Sequence, residues 1–201
     1  MKAVLASQNR HKLEEIRAIL SGFDIDLVLP SDLGVCVDVE ETGETFEENS
    51  LIKAKTLLEA TGLPAVADDS GLSVDVLNGE PGVYSARYGA PQCRTDSDRT
   101  QYLLRKLHGV RSEERTARFV CVITLLYPDG RKITARGTCE GVIAFEPRGE
   151  SGFGYDPVFY VPREGRTFAE MGSELKNTIS HRANALRILC RRLEEEAYDD
   201  K

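Results

Sequence analysis

The sequence predicts a mixed α/β protein in which helices flank a central β-sheet. Two observations carry this reading. Short continuous apolar runs, Ala3 to Ala6 and Ala65 to Ala67 among them, have the length and composition of buried strands in an α/β sheet, and between them lie segments whose apolar residues recur at helical spacing. Later in the chain, the strongly β-prone Phe119 to Leu126 meets Pro128-Asp129-Gly130 and resumes at Ile133, the pattern of an antiparallel hairpin.

Ala3 to Ala6 opens the chain as a strand. The polar turn Ser7-Gln8-Asn9-Arg10-His11-Lys12 leads into Leu13, Ile16, Ile19 and Leu20 at helical spacing, with Gly22 as the stop. A strand, polar turn and helix in that order aim backbone N–H groups at an anion. Ser7 and Asn9 suit the helix cap. Lys12 falls in the first turn, where the helix dipole disfavours a cation, a small misfit that hints at an anionic partner. The spacing is not that of a Walker phosphate loop. A short strand from Ile25 to Leu29 follows, then an irregular stretch to Val39.

Glu40, Glu41, Glu44, Glu47 and Glu48 form an acidic cluster. Thr45 to Glu48 fits a capping box for a helix through Leu51, Ala54 and Leu58 that ends at Gly62 and Pro64. Carboxylates at a helix start ordinarily serve capping and the dipole. Glu40 precedes the helix and is the least explained in that way. Lys53 projects about one and a half turns into the helix.

Leu63-Pro64-Ala65-Val66-Ala67-Asp68-Asp69-Ser70-Gly71-Leu72 is the stretch around which the rest is organised. Adjacent strand residues point to opposite faces, so Asp68 and Asp69 cannot share one cleft while the strand stays regular. Gly71 predicts a bend just beyond them, bringing at least one carboxylate to the open strand edge, where α/β sheets bind ligands. An alternating strand from Leu72 to Leu77 and a turn at Asn78-Gly79 come next. Thr95 or Asp96 caps a helix through Tyr102, Leu103 and Leu107, closed by Gly109. After the hairpin, whose return strand is expected to reach Phe145, Gly152-Phe153-Gly154-Tyr155-Asp156-Pro157 alternates glycines with aromatics. Glycine permits close backbone approach and an aromatic face can stack on a flat base, although the same pattern occurs in loops with core aromatics. Val158 to Val161 is a strand. Ile179, Leu186, Leu189 and Leu193 mark a final helix with an acidic tail at residues 194–201. Lys176, His181 and Arg182 lie just before or at its start, again where the dipole does not favour cations.

At 201 residues the chain is long enough for a substantial core, as one domain or two joined lobes. A net charge of −7 makes it a poor binder of duplex nucleic acid, while an anionic small substrate needs basic groups gathered in one pocket or a divalent cation. Five cysteines without a Cys-x-x-Cys spacing argue against a disulfide framework or a zinc site. No apolar stretch has the length of a signal core or membrane span, and the expected compartment is the cytoplasm.

Taken in order, Ser7-x-Asn9-x-x-Lys12, Glu40 with Thr42-Gly43-x-Thr45-Phe46-x-Glu48-Asn49, Ala67-Asp68-Asp69-Ser70-Gly71-Leu72, Gly152 to Pro157 and Ile179-Ser180-His181-Arg182 resemble the inosine/xanthosine triphosphate pyrophosphatase (Ham1-like) family. The resemblance runs from about Lys2 to Leu193. Its one departure is Ser7, which stands where threonine is more usual and keeps the hydroxyl. What it implies is a single domain over residues 1–201, with an elongated mixed sheet and two lobes enclosing an active-site cleft. It also implies a homodimer that hydrolyses ITP, dITP and XTP to the monophosphate and pyrophosphate with Mg²⁺, removing these noncanonical purine nucleotides from the pool. By the same resemblance Asp69 is the general base and a metal ligand, and Glu40 the other ligand. Ser7, Gln8, Asn9, Arg10, His11, Lys12, Lys53 and Ser70 hold the triphosphate side. Phe153, Gly154, Tyr155, Asp156, Lys176, His181 and Arg182 hold the nucleotide. The competing expectations are a related pyrophosphatase for other modified nucleotides and a non-catalytic nucleotide-binding module. The module would have no need of both Glu40 and Asp69.

Overall fold

The computed structural model describes residues 1–7 and 10–199. Seven strands, β1 (Lys2–Leu5), β2 (Asp26–Val28), β3 (Ala65–Val74), β4 (Thr116–Leu126), β5 (Lys132–Ile143), β6 (Phe159–Val161) and β7 (Arg166–Thr167), form one sheet in the order β2-β1-β3-β4-β5-β6-β7. β1 runs parallel to both β2 and β3, whereas β5, β6 and β7 pair antiparallel, so the sheet is mixed as the sequence predicts. The helices are α1 (Arg10–Ile19), α2 (Phe46–Thr61), α3 (Asp96–Lys106), α4 (Ser173–Ile179) and α5 (His181–Asp199). The chain divides into two compact units: Met1–Asp69 with Cys121–Gly137 and Asn184–Lys201, and Ser70–Val120 with Thr138–Ala183.

In the first unit, strand alternation decides which helix covers which face. Ala3, Leu5 and Val66 point into a cluster with Leu13, Ile16 and Leu20 of the α1 region and Leu186 and Leu189 of α5. Val4, Ala65 and Ala67 point the other way, onto Ala54 and Leu57 of α2. Each fully buried leucine in these layers contributes about 1.5–3 kcal/mol. Helix α2 begins with the capping box foreseen at Thr45 and Glu48, and Gly62 ends it in the left-handed conformation (φ 68°). The core of the second unit gathers Leu103 and Leu107 near the end of α3 with Phe119, Tyr155, Phe159 and Phe168.

Four expectations are corrected. β3 does not bend at Gly71 but continues to Val74, so both aspartates are mid-strand and buried. The strand expected over 72–77 gives way at Asp75 to a 3-10 turn. β5 stops at Ile143, where Ile143 N donates to Arg115 O. A separate short helix, α4, precedes α5 and carries Lys176, which therefore sits in a last turn rather than at a helix start.

Candidate active site

The first cluster belongs wholly to the first unit and follows from the alternation of β3. Residues 65 and 67 face α2, so Asp69 does too, and Lys53 projects from α2 to meet it. Lys53 Nζ donates to Asp69 Oδ1 and to Glu41 Oε1, both at 2.8 Å. Asp68 has the α1 parity and pairs with Lys12 instead. Burial pushes the Asp69 carboxyl above its ordinary value, and the Lys53 charge only partly offsets it. Burial acts to lower Lys53, but Asp69 and Glu41 together outweigh it and hold the ammonium above the usual lysine value.

Asn49, fully buried on α2, completes the surroundings of Asp69. Its Oδ1 accepts from Gly43 N at 2.8 Å, which fixes the amide and turns Nδ2 towards the Asp69 carboxylate. A Cβ on Gly43 would fall 2.7 Å from Asn49 Oδ1, so glycine is what permits this contact. Asp69 Oδ2 and Asn49 Nδ2 are both buried and neither closes a hydrogen bond of normal geometry, although the Asn49 amide is near enough to favour the charged Asp69 carboxylate. An orphaned carboxylate oxygen beside a second carboxylate is a donor set suited to a hard divalent cation, which takes one or two carboxylates and completes its shell with water and phosphate. No cluster of three or more metal-ligating side chains occurs among the described residues.

Residues 35–41 alternate half-buried odd positions with exposed even ones. This places Glu40 outward and exposed, and Glu41 inward on Lys53. In the sequence Glu41 is marked only as a member of the acidic cluster, not as a site residue. The period-two run Val35, Val37, Val39 extended by one step would have found it. Behind this segment lies a hollow of about 570 Å³ whose wall includes Ser7, Cys36, Val39 and Lys53. Gln8 and Asn9 lie outside the described residues, as do the side chains of Arg10 and His11.

The second cluster belongs to the second unit, in which Ser70 is half-buried. Asp156 is buried, and its Oδ2 accepts from Phe153 N at 2.9 Å and from Lys176 Nζ. Gly152 (φ 82°) makes room for this, since a Cβ there would stand 2.1 Å from Asp156 Oδ2. Phe153 is 64% exposed, with Lys176 Nζ 5.1 Å from its ring centroid. Tyr155 is buried instead and donates its hydroxyl to Ser85 O at 2.9 Å, so its ring belongs to the core. His181 heads α5 with its ring stacked on Phe119 at 4.8 Å, and the half-buried Arg182 follows it. The structure thus brings Phe153, Gly154, Asp156 and Lys176 together. An exposed aromatic face beside a lysine suits a flat ring carrying acceptor oxygens.

The Ham1 family model matches residues 3–192, and the chain belongs to that family. It is 52% identical over 200 residues to a dITP/XTP pyrophosphatase of Thermus thermophilus, covering 100% of this chain and 93% of that protein. It is 48% identical over 190 residues to the enzyme of that name from Escherichia coli, covering 94% of this chain and 95% of the relative. Among solved structures, a HAM1 protein from Coxiella burnetii superposes with a TM-score of 0.90 at 46% identity, covering 97% of this chain and 99% of the other. The Staphylococcus aureus Ham1 protein gives 0.89 at 43%, covering 98% and 100%.

Proposed function

We propose that this chain is a nucleoside-triphosphate pyrophosphatase that cleaves noncanonical purine nucleotides such as dITP and XTP to the monophosphate and pyrophosphate. The observation that carries the reading is the Glu41–Lys53–Asp69 arrangement, with Asp69 Oδ2 buried and closing no hydrogen bond of normal geometry, in a chain of the Ham1 family.

Asp69 Oδ1 is tied to Lys53, which leaves Oδ2 to accept the proton of a water that attacks the α-phosphorus. The new bond is water oxygen to phosphorus, and the bond that breaks joins the α-phosphorus to the bridging oxygen of the pyrophosphate. Lys12 and Lys53 counter the charge that grows on the leaving group, with Ser7 and Ser70 as hydroxyl donors to the phosphates. A divalent cation, here read as Mg²⁺, supplies Lewis-acid stabilisation of the phosphate oxygens when bound. Asp69 would supply one carboxylate to it, and Glu40 or Glu41 would supply the second. On the nucleoside side, Phe153 offers its ring to the base. Lys176, His181 and Arg182 offer donors to the 6-keto oxygen of hypoxanthine or xanthine, where adenine presents a donor of its own.

The proposed working form is a homodimer in the cytoplasm. No helix among the described residues is long and apolar enough to cross a membrane.

Side-by-side turnover of dITP, ITP, XTP, GTP, ATP and dUTP with Mg²⁺, scored as pyrophosphate release, tests the function. Preference for the inosine and xanthosine nucleotides is expected. A dominant rate on dUTP would move the chain to a pyrophosphatase of different base contacts, and no release from any nucleotide would reduce it to a binding module. Sedimentation at micromolar concentration tests the dimer.

A further inference from the structure

Helix α3 is capped without Asp96. Thr95 Oγ1 accepts from Asp98 N at 3.1 Å, and Asp98 Oδ2 accepts from Thr95 N at 2.9 Å and Arg94 N at 3.0 Å. Asp96, also in the first turn, therefore has a carboxylate that the cap does not need. That carboxylate reaches 58 residues along the chain, where Oδ2 accepts from Gly154 N at 2.8 Å. One turn later on α3, Thr100 Oγ1 donates to Gly154 O at 3.2 Å. Both backbone polar groups of this one residue are thus held from a single helix, and the residue is a glycine at φ 61°.

The neighbouring amide, Phe153 N, is taken by Asp156. With its N–H groups held by carboxylates on both sides, the loop presents no backbone donors to a phosphate at 153 or 154. What it presents is the Phe153 ring, which stays exposed although large aromatic rings are normally buried. Arg99 braces the other Asp96 oxygen. Burial works against ionisation of Asp96, but the Gly154 N–H and Arg99 outweigh it and hold the carboxyl below its ordinary value, so the acceptor is charged.

We propose that Asp96 and Thr100 are positioning residues that hold the Phe153–Gly154 segment in the form that receives the purine, which makes them determinants of affinity for the nucleoside end of the substrate alone. Resting on the pyrophosphatase reading above, this assigns α3 a part in selecting the base, although neither side chain is required to touch it.

The test compares inhibition of ITP turnover by the two products, inosine monophosphate and pyrophosphate, in the wild type, Asp96→Ala, Thr100→Val and the double variant. Thr100→Val is expected to weaken the monophosphate roughly threefold, Asp96→Ala, which removes a charged acceptor, roughly tenfold, and the pair roughly thirtyfold, the scale of a lost neutral and a lost charge-assisted hydrogen bond. Pyrophosphate inhibition should stay at the wild-type value and kcat within about twofold. Asp96→Asn keeps an acceptor oxygen and is expected to restore monophosphate affinity. Equal weakening of both products, or an unchanged monophosphate constant in the double variant, overturns the proposal. Should Asp96→Ala not fold, Thr100→Val carries the same comparison. If the wild type releases no pyrophosphate from any nucleotide, the pyrophosphatase reading fails on its own. The placement is then read from calorimetric binding of inosine monophosphate and from hydrogen exchange at the Gly154 amide. Asp96→Ala should weaken the first and speed the second, and no change in either overturns it.

Discussion

Asp68 and Asp69, neighbours on β3, are bound to different lysines on different helices: Asp68 to Lys12 of α1 and Asp69 to Lys53 of α2. Both carboxylates are buried, so the period-two geometry of the strand has separated two chemically identical groups into two environments. Asp69→Asn should lower turnover by about 10²–10⁴, the range for loss of a general base. Stability should move differently. The Asp69 carboxyl is raised by burial, so the shift favours folding below the unfolded carboxyl value and works against it as pH rises through the folded one. At pH 7 the buried Asp69 charge by itself weakens the fold, but Asp69→Asn also leaves the buried Lys53 with Glu41 as its remaining carboxylate partner, so the two effects oppose and the variant should melt close to the wild type. Asp68→Asn leaves the Lys12 charge half-buried without its carboxylate and should cost about 1–3 kcal/mol. Thermal melts beside turnover assays separate the two, and a large Tm loss in Asp69→Asn would contradict the burial argument.

Lys53 joins Glu41 and Asp69, and its removal leaves two carboxylates facing each other. Its pKa is raised by those partners against the opposing effect of burial, so its contribution to stability is complete below the ordinary lysine value and disappears as pH climbs through the folded one. Lys53→Met should therefore be less stable than the wild type at pH 7, and the gap in urea midpoints should narrow in strongly alkaline buffer. A gap that widens there would place the stabilising charge elsewhere. Turnover should fall with the lost cation at every pH.

Much of this was legible in the sequence, for identifiable reasons. The Thr45–Glu48 box, the Gly62 cap, the hairpin at 128–130 and the opposed aspartates all follow from rules that act over a few residues. The bend at Gly71 was misread because glycine permits a bend without demanding one, and pairing with neighbouring strands held β3 straight to Val74. Helix α4 was missed because seven residues carry too little periodicity. Tyr155 and Phe153 look alike in a Gly-aromatic repeat, yet one is core and the other exposed, since a hydroxyl partner 70 residues away decides which ring turns inward. Asp96 was readable only as a cap, for its partner is 58 residues distant.

Glu40 and Glu41 differ in the direction they face, exposed against inward on Lys53. The Mg²⁺ concentration for half-maximal turnover, measured for Glu40→Gln and Glu41→Gln, distinguishes them. Geometry favours a shift of roughly tenfold or more in Glu41→Gln, the scale on which groups around a bound metal act. The reverse ranking would return the second ligand to Glu40, with Glu41 left to position Lys53. Wild-type turnover should cease in excess EDTA and return with Mg²⁺.

Gly152 and Gly154 both have positive φ but for separable reasons, and alanine at each should show it. At Gly154 a Cβ meets nothing within 4 Å, so Gly154→Ala bears only the left-handed backbone cost, about 1–2 kcal/mol. At Gly152 the Cβ would stand 2.1 Å from Asp156 Oδ2, displacing the carboxylate that holds both Phe153 N and Lys176. Gly152→Ala should therefore release the Phe153 ring and the lysine together and raise KM for ITP well beyond the effect of Gly154→Ala, with the larger loss of Tm. The direction of that ranking is the decisive reading. If the two variants proved equal in KM and Tm, the buried Asp156 carboxylate would not be what gives the loop its shape.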